Sequence, residues 1–146
     1  MTTNVLVIRL LLAAGLSAAL GLEREYHHKP AGLRTITLIG LGSALFTMVS
    51  IAFANGGGTS DRIAAQIVTG IGFLGAGAIL RGNADVHGLT TSATIWVTAA
   101  IGMAVGAGLY AAGSAAAALT LVILAVIGPV ERRFERRARP RDQPRE

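Results

Sequence analysis

Apolar residues are grouped along the chain in blocks of about twenty, and short polar joints separate the blocks. A helix needs about 20 mostly apolar residues to cross a bilayer. The pattern therefore predicts five membrane-spanning helices: Asn4–Leu22, Leu33–Ala54, Ile63–Leu80, Leu89–Gly108 and Leu109–Ile127. The last two blocks adjoin, and glycines between positions 106 and 113 supply a turn between them. This boundary is the least sharply marked one.

The composition agrees with a membrane protein. Hydrophobic residues make up 52% of the chain, charged residues make up 14%, and the mean hydropathy is +0.58. Soluble domains carry roughly 25% charged residues, so this chain has too few charges to cover a water-facing globule. We expect an all-α, polytopic bundle of about five transmembrane helices at positions 1–128, followed by a basic cytoplasmic tail at positions 129–146. The absence of cysteine excludes disulfides and thiol chemistry.

Basic residues predict the orientation of the bundle. With the C-terminus in the cytoplasm, the inside joints hold Arg24, Lys29, Arg34 and Arg81, and seven more arginines lie beyond position 131. The outside joints hold only Arg62. This distribution satisfies the positive-inside rule and predicts that the N-terminus is outside. The arginine-rich tail is expected to contact anionic lipid. Nucleic-acid binding is not expected, because no aromatic stacking platform accompanies these arginines.

The stretch GIGFLGAG, at Gly70–Gly77, has the glycine spacing of a dinucleotide-binding turn. That turn requires a strand before the glycines and a helix that begins at them. Here the flanking sequences belong to one apolar block, whose backbone must be helical throughout if it spans the bilayer. The amide groups are then already hydrogen-bonded within the helix, so we predict that the chain binds no nucleotide.

Small residues instead recur at helical spacing. Ala65, Thr69, Gly72 and Ala76 share one face of the third helix, and Gly70 and Gly77 share another. Similar ladders occur in the first, second and fourth helices, at Ala14, Ala18 and Gly21, at Gly40, Ser43, Thr47 and Ser50, and at Thr94, Thr98, Gly102 and Gly106. Small residues let helices approach closely in lipid. We therefore predict helix packing through Gly70, Gly72, Gly75 and Gly77, and disruption of the bundle by Gly72→Leu.

Acidic residues are absent from all five predicted spans. Proton relays and metal pathways in membranes usually rely on buried carboxylates, and Mg²⁺ prefers oxygen ligands, so a conventional cation transporter is disfavoured. Two adjacent histidines, His27 and His28, make a weak metal site on their own, and any metal ligands stay undetermined. No nucleophile–base pair is evident. We expect no catalytic residues, no enzymatic activity and no cofactor.

Several polar residues near or within the spans leave alternatives open. Arg9 either snorkels to the interface or pairs within the bundle. Gln66 either hydrogen-bonds a neighbouring helix or belongs to a site. Trp96 lies mid-span, and its indole N–H needs a partner inside the bundle. Asp61 and Thr90 are expected to cap the third and fourth helices.

The segment LEREYHHKPAGLR follows the first span. Glu23 and His27 share a helix face at four-residue spacing. Either this segment is solvated and forms surface ion pairs, or Glu23 or Glu25 pairs with Arg34 or Arg81 across the inner face.

Five motifs in order resemble the MgtC/SapB family of bacterial inner-membrane proteins. They are GLERE, KPAGLRT, LGSALFTMVS, DRIAAQIVTGIGFLGAGAIL and GLTTSATIWVTAAIGMAVGAG. The resemblance covers roughly residues 5 to 127. Ile36 departs from the pattern where a His is common, and His87 departs from it where an Arg is common. Longer members also carry a soluble C-terminal domain, so we expect a short member.

The resemblance implies a multi-pass protein of the bacterial inner membrane that serves adaptation to low magnesium and survival inside host phagocytes. It implies a regulator that contacts other membrane proteins, such as the F-type ATP synthase, and the alternative is a magnesium or other ion transporter. Partners are then the lipid bilayer, a second copy in a dimer, or another membrane protein. The polar residues that match the family's signature are Glu23, Arg24, Glu25, Arg34, Asp61, Arg62, Gln66, Thr90, Thr91 and Trp96.

Overall fold

The structure is a computed structural model, and it describes residues 2–54, 61–81 and 86–128. Five helices cover most of these residues: α1 at Thr3–Tyr26, α2 at Leu33–Ala54, α3 at Asp61–Gly77, α4 at Leu89–Gly106 and α5 at Tyr110–Val122. A π-helical turn, Ile123–Ile127, extends α5, and two-residue antiparallel strands, β1 at Leu80–Arg81 and β2 at Val86–His87, join α3 to α4. The predicted all-helical bundle is confirmed.

Some predictions lie outside the described residues. They concern the loop at 55–60, the turn at 82–85, the basic tail at 129–146, and the side chains of Asp61, Arg62 and Arg81. Within the described ranges, four helices are long and apolar enough to cross a membrane, counting α5 with its π-helical turn. The remaining helix, α3, is apolar from Ile63 to Gly77 but shorter.

Helices α1, α2 and α4 pack through their small residues. A Cβ atom at Gly40 would overlap Ser17 on α1, and a Cβ at Gly102 on α4 would overlap the carbonyl oxygen of Gly40. A Cβ at Gly106 would likewise overlap the backbone of Ala44. Backbones can approach this closely only where side chains are absent or small. These contacts show that α2 is antiparallel to α1 and parallel to α4.

The small-residue ladders predicted for α2 and α4 are buried at every position. The ladder of α1 is displaced by one residue. Its buried small residues are Ala13, Ser17 and Gly21, whereas the predicted Ala14 and Ala18 are only half-buried. A helix with small residues on adjacent faces does not specify by itself which face is buried, and here Arg24 lies on the same buried face as Ser17.

Helix α3 runs antiparallel to α4 along the edge of the bundle. Gly75 lies against Ser92, while Val68 and Ile71 lie beside Ala99 and Met103. Because α2 and α4 both begin at one end of the bundle, α3 runs in the opposite direction between them along the chain. Successive helices are therefore antiparallel, and Thr3 and Ile127 lie at opposite ends. We call these the Arg9 end and the Arg24 end, respectively.

Backbone turns with positive φ define two of the helix boundaries. Gly108, at φ +88°, ends α4, and the amides of Gly108 and Leu109 donate to the carbonyls of Val105 and Ala104. This is the Schellman pattern, and it confirms the predicted break between the fourth and fifth spans. Gly88, at φ +91°, precedes α4 and packs so closely on Ala78 that a Cβ would overlap the carbonyl oxygen of Ala78.

The prediction that Thr90 caps α4 is wrong. The helix begins at Leu89, the capping position is Gly88, and no side chain caps it. Thr90 is exposed in the first helical turn, and its carbonyl accepts a hydrogen bond from the hydroxyl of Thr94. The left-handed conformation of Gly88 turns the chain immediately after β2. The helix therefore starts at Leu89, one residue before Thr90.

The predicted packing of the α3 glycines holds within the chain only for Gly75. A Cβ atom there would come within 2.7 Å of the Ser92 hydroxyl, whereas a Cβ at Gly70, Gly72 or Gly77 would meet no atom within 4 Å. Those three glycines are exposed. The reason is the position of α3 at the edge, where α4 covers one side of the helix and a groove separates another side from α2.

Leucine substitutions at Gly102 and Gly72 should therefore behave differently in the isolated chain. Gly102→Leu forces α2 and α4 apart and should lower the free energy of unfolding by about 1–3 kcal/mol, the usual cost of overpacking. Gly72→Leu places the same side chain in open space and should leave stability nearly unchanged. Thermal unfolding of both variants in detergent measures this difference. An equal loss of stability in both variants would contradict the assignment.

Candidate functional site

The Arg24 end contains a buried cation. Arg24 is only 4% exposed, and its Nη2 donates a hydrogen bond of 2.7 Å to Oγ1 of Thr91, which is 3% exposed. Thr91 lies in the first turn of α4, so this bond joins the end of α1 to the start of α4. Sequence reasoning singled out both residues and did not foresee their contact. Nε of Arg24 and Oε2 of Glu23 are buried with no hydrogen-bond partner among the described residues.

The two glutamates beside Arg24 have different partners. Oε1 of Glu23 lies 3.1 Å from Nδ1 of His27, at the predicted four-residue spacing. Oε2 of Glu25 accepts a 3.0 Å hydrogen bond from the amide of Leu33, the first residue of α2. A carboxylate at a helix N-terminus satisfies a free amide and interacts favourably with the helix dipole. Glu25 therefore fixes where α2 starts.

Pairing of these glutamates with Arg34 is not observed. Arg34 is exposed and forms no ion pair with any residue that the structure describes. The α1–α2 loop explains this arrangement. His28 and Ala31 both adopt positive φ, and the amide of Lys29 donates to the carbonyl of Arg24. The resulting tight reversal places the Glu25 carboxylate over the backbone at Gly32 and Leu33.

Arg9 forms a second polar contact at the opposite end of the bundle. Its Nη1 donates a 2.7 Å hydrogen bond to the carbonyl of Gly106, and its Nε donates a 3.0 Å bond to the hydroxyl of Tyr110. The guanidinium carbon also lies 5.7 Å from the centre of the Tyr110 ring. A cation at the C-terminus of α4 is favoured by the helix dipole. Of the two alternatives for Arg9, the structure therefore shows pairing within the bundle.

A groove of about 1240 Å³ separates α2 from α3. Apolar side chains form most of its wall, including Leu38 and Phe46 on α2 and Phe73 and Leu74 on α3, and Ile95 of α4 lies on its floor. Its lining includes one charged side chain, Arg34, and no carboxylate among the described residues.

The groove brings together three of the residues predicted to be functional. Arg34, Gln66 and Thr91 all line it, although they come from three different helices. Gly70 and Gly77 line it as well, so these glycines widen a groove instead of closing a helix contact. Gln66 is exposed and makes no side-chain hydrogen bond within the described ranges.

Trp96 of α4 is not part of the lining of this groove. It is 56% exposed and lines a smaller cavity of about 250 Å³ with Val68, Ala100 and Met103. The indole N–H has no partner in the part of the chain that the structure describes, so the predicted partner inside the bundle is not observed there. Because Val68 and Ile71 of α3 line the same cavity, Trp96 lies beside α3 with more than half of its surface exposed.

The described side chains do not assemble a metal centre. No group of three or more His, Asp or Glu residues lies close together within those ranges. Glu23 and His27 are the only such pair in contact among the described residues. One carboxylate and one imidazole do not supply the octahedral set of oxygen ligands that Mg²⁺ prefers. The arrangement at the Arg24 end is suited to holding helices together, and the adjoining groove is suited to receiving an apolar ligand.

The bond between Arg24 and Thr91 should contribute measurably to stability. Thr91→Val removes the acceptor of a buried guanidinium and should cost about 1.5–3 kcal/mol, the usual range for a hydrogen bond to a charged group. Thr91→Ser keeps the hydroxyl and serves as the matched control. Unfolding in detergent checks both variants. If Thr91→Val were as stable as the original chain, Arg24 would have to have another acceptor.

Sequence comparisons agree with this architecture. The sequence model of the MgtC family matches residues 10–133. The chain is 54% identical over 106 residues to the "Putative magnesium transporter YhiD" of Escherichia coli K12, covering 68% of this chain and 49% of that protein. It is 48% identical over 88 residues to "Protein MgtC" of Brucella abortus, covering 60% and 37%. It is 46% identical over 97 residues to "Protein MgtC" of Salmonella typhimurium, covering 66% and 41%.

The chain thus spans half or less of the length of these relatives. No solved structure matches it. The family match nevertheless takes in α1 from Leu10 onward, the other four helices, the buried arginine at the Arg24 end and the whole of the α2–α3 groove. On this evidence the chain belongs to the MgtC family, as a multi-pass membrane protein.

Proposed function

We propose that this protein is a regulator in magnesium-linked physiology and that it acts by contact with other membrane proteins. The observation that carries the proposal is the composition of the α2–α3 groove. This is the large cavity among the described helices, and its lining holds Arg34 and no carboxylate. A permeating Mg²⁺ would lose its water without gaining anionic oxygen ligands, and it would be repelled by the guanidinium.

The outer face of α3 supports contact with another protein. Ala65, Thr69, Gly72 and Ala76 are all exposed, and a Cβ at Gly72 would meet no atom within 4 Å. Faces of this kind let a second helix approach closely in lipid. A helix of another membrane protein fits this face better than lipid does. The small side chains let a second helix pack closely, and they give no comparable advantage to lipid.

The printed names of the relatives support a physiological role linked to magnesium. One is named a magnesium transporter and two are named MgtC. A role in low-magnesium adaptation and intracellular survival, with the F-type ATP synthase as a target, is part of the proposal. So are a non-enzymatic mode of action and location in the bacterial inner membrane with the Arg24 end in the cytoplasm. Arg24, Lys29 and Arg34 at that end are consistent with this orientation.

Crosslinking tests the contact. The chain has no cysteine, so single substitutions give unambiguous crosslinks. Ala76→Cys on the outer face of α3 should crosslink to a second membrane protein in cells, whereas Ala118→Cys, an equally exposed alanine on α5, should not. Gly72→Leu should abolish the Ala76→Cys product by filling the face. Crosslinks at both positions, at neither, or only to another copy of the chain would contradict contact through this face.

The alternative function is transport of magnesium or another ion, which the printed name of the Escherichia coli relative favours. Uptake of Mg²⁺ into liposomes that contain only this protein separates the two functions. We expect no uptake above that of protein-free liposomes. Saturable uptake that disappears in Glu23→Gln would overturn the regulatory proposal, because Oε2 of Glu23 is a buried carboxylate oxygen at the Arg24 end with no hydrogen-bond partner among the described residues.

A further inference from the structure

We propose that the α2–α3 groove is a binding site for one anionic phospholipid. The phosphate lies at Arg34, and an acyl chain lies along the groove between Leu38 and Leu74. The site is independent of the outer face of α3, since Gly72 and Ala76 are not part of its lining.

The length of the groove fits a lipid tail. Its lining on α2 extends from Arg34 to Phe46, which is about 18 Å at 1.5 Å per residue. On α3 it extends from Ile63 to Gly77, which is about 21 Å by the same rise. One leaflet of a bilayer is about 15 Å thick, half of a hydrocarbon core of about 30 Å. A transmembrane helix of a partner needs the full core, and the lining on α2 ends before that.

The shape of the walls also fits a tail. Gly70 and Gly77 present no side chain to the groove, and a Cβ at either position would be in open space. Phe46 and Phe73 add broad apolar surface, and the floor at Ile95 is buried. The glycines leave a channel along α3, and the neighbouring large side chains supply dispersion contacts along it.

Among the described residues, the charge of the lining lies at one end of the groove. Arg34 is in the first turn of α2, at the Arg24 end, where lipid headgroups are located. Its guanidinium is exposed and forms no ion pair within the described ranges, and Thr35 beside it places a hydroxyl on the same lining. Glu25 occupies the amide of Leu33 but does not line the groove. A guanidinium suits a phosphate geometrically, so charge complementarity selects an anionic headgroup.

Lipid binding by the full chain in detergent tests the site. Native mass spectrometry with dioleoyl phosphatidylglycerol or dioleoyl phosphatidylcholine should show tighter retention of the phosphatidylglycerol. Arg34→Gln should weaken phosphatidylglycerol binding about fivefold, which corresponds to about 1 kcal/mol per basic residue. Arg34→Lys should restore most of the affinity, and Arg34→Gln should weaken phosphatidylcholine binding less, because the choline cation offsets the charge of that lipid's phosphate. Equal retention of the two lipids, or no effect of Arg34→Gln, would overturn the proposal.

Two leucine substitutions on α3 provide a test variant and its matched control for lipid binding. Gly70→Leu projects into the groove and should reduce the binding of both lipids, whereas Gly72→Leu projects away from it and should leave lipid binding unchanged. Unfolding midpoints confirm that each variant folds. If Gly70→Leu does not fold, the Arg34 variants test the site instead. The side chain of Arg34 is exposed, so these variants should fold. Unchanged lipid binding by a folded Gly70→Leu would contradict the site.

Two further outcomes identify other occupants. Soluble glycerol phosphate should not displace the lipid at equal concentration, and displacement would mean that Arg34 binds the headgroup alone, without the groove. A dimer that disappears in Gly70→Leu would mean that a second copy fills the groove. The regulatory proposal fails on different evidence, namely the crosslinks at Ala76→Cys and the effect of Gly72→Leu on them.

Discussion

The bundle depends on the way in which two arginines of α1 join α4. Arg24 bonds to Thr91 near the start of α4, and Arg9 bonds to the carbonyl of Gly106 at its end. The arginines are 15 positions apart, and so are their acceptors. A one-turn slip between the helices would remove both acceptors, and the cost would be greatest at Arg24, whose guanidinium is buried. This register places α2 against both helices and leaves α3 at the edge.

The edge position of α3 gives the molecule its two available surfaces. The side facing α2 forms the groove, and the side facing away carries the exposed row of small residues. Both surfaces use glycines from one stretch of sequence, with Gly70 on the first and Gly72 on the second. A single glycine-rich helix can therefore serve a lipid and a protein partner at once, provided that each contact uses its own face.

Much of the fold could be predicted from sequence, because apolar block length and glycine-marked turns are local signals. The bounds of α2 and the break at Gly108 follow directly from them. The candidate site was harder, since Arg24 and Thr91 are separated by 67 positions and their contact follows from helix register. The exposure of Trp96 and Gly72 was also missed, because residue type does not reveal which helix face is left uncovered at the edge of a bundle.

The shortness of α3 has a consequence for the surrounding bilayer. Its 17 residues measure about 25 Å, less than a hydrocarbon core of about 30 Å, whereas α1 and α2 are longer. A short helix at the edge creates a hydrophobic mismatch with the lipid that touches it. The membrane should thin most on that flank, so this protein should gather where the bilayer is already thin and attract neighbours that share the same deformation.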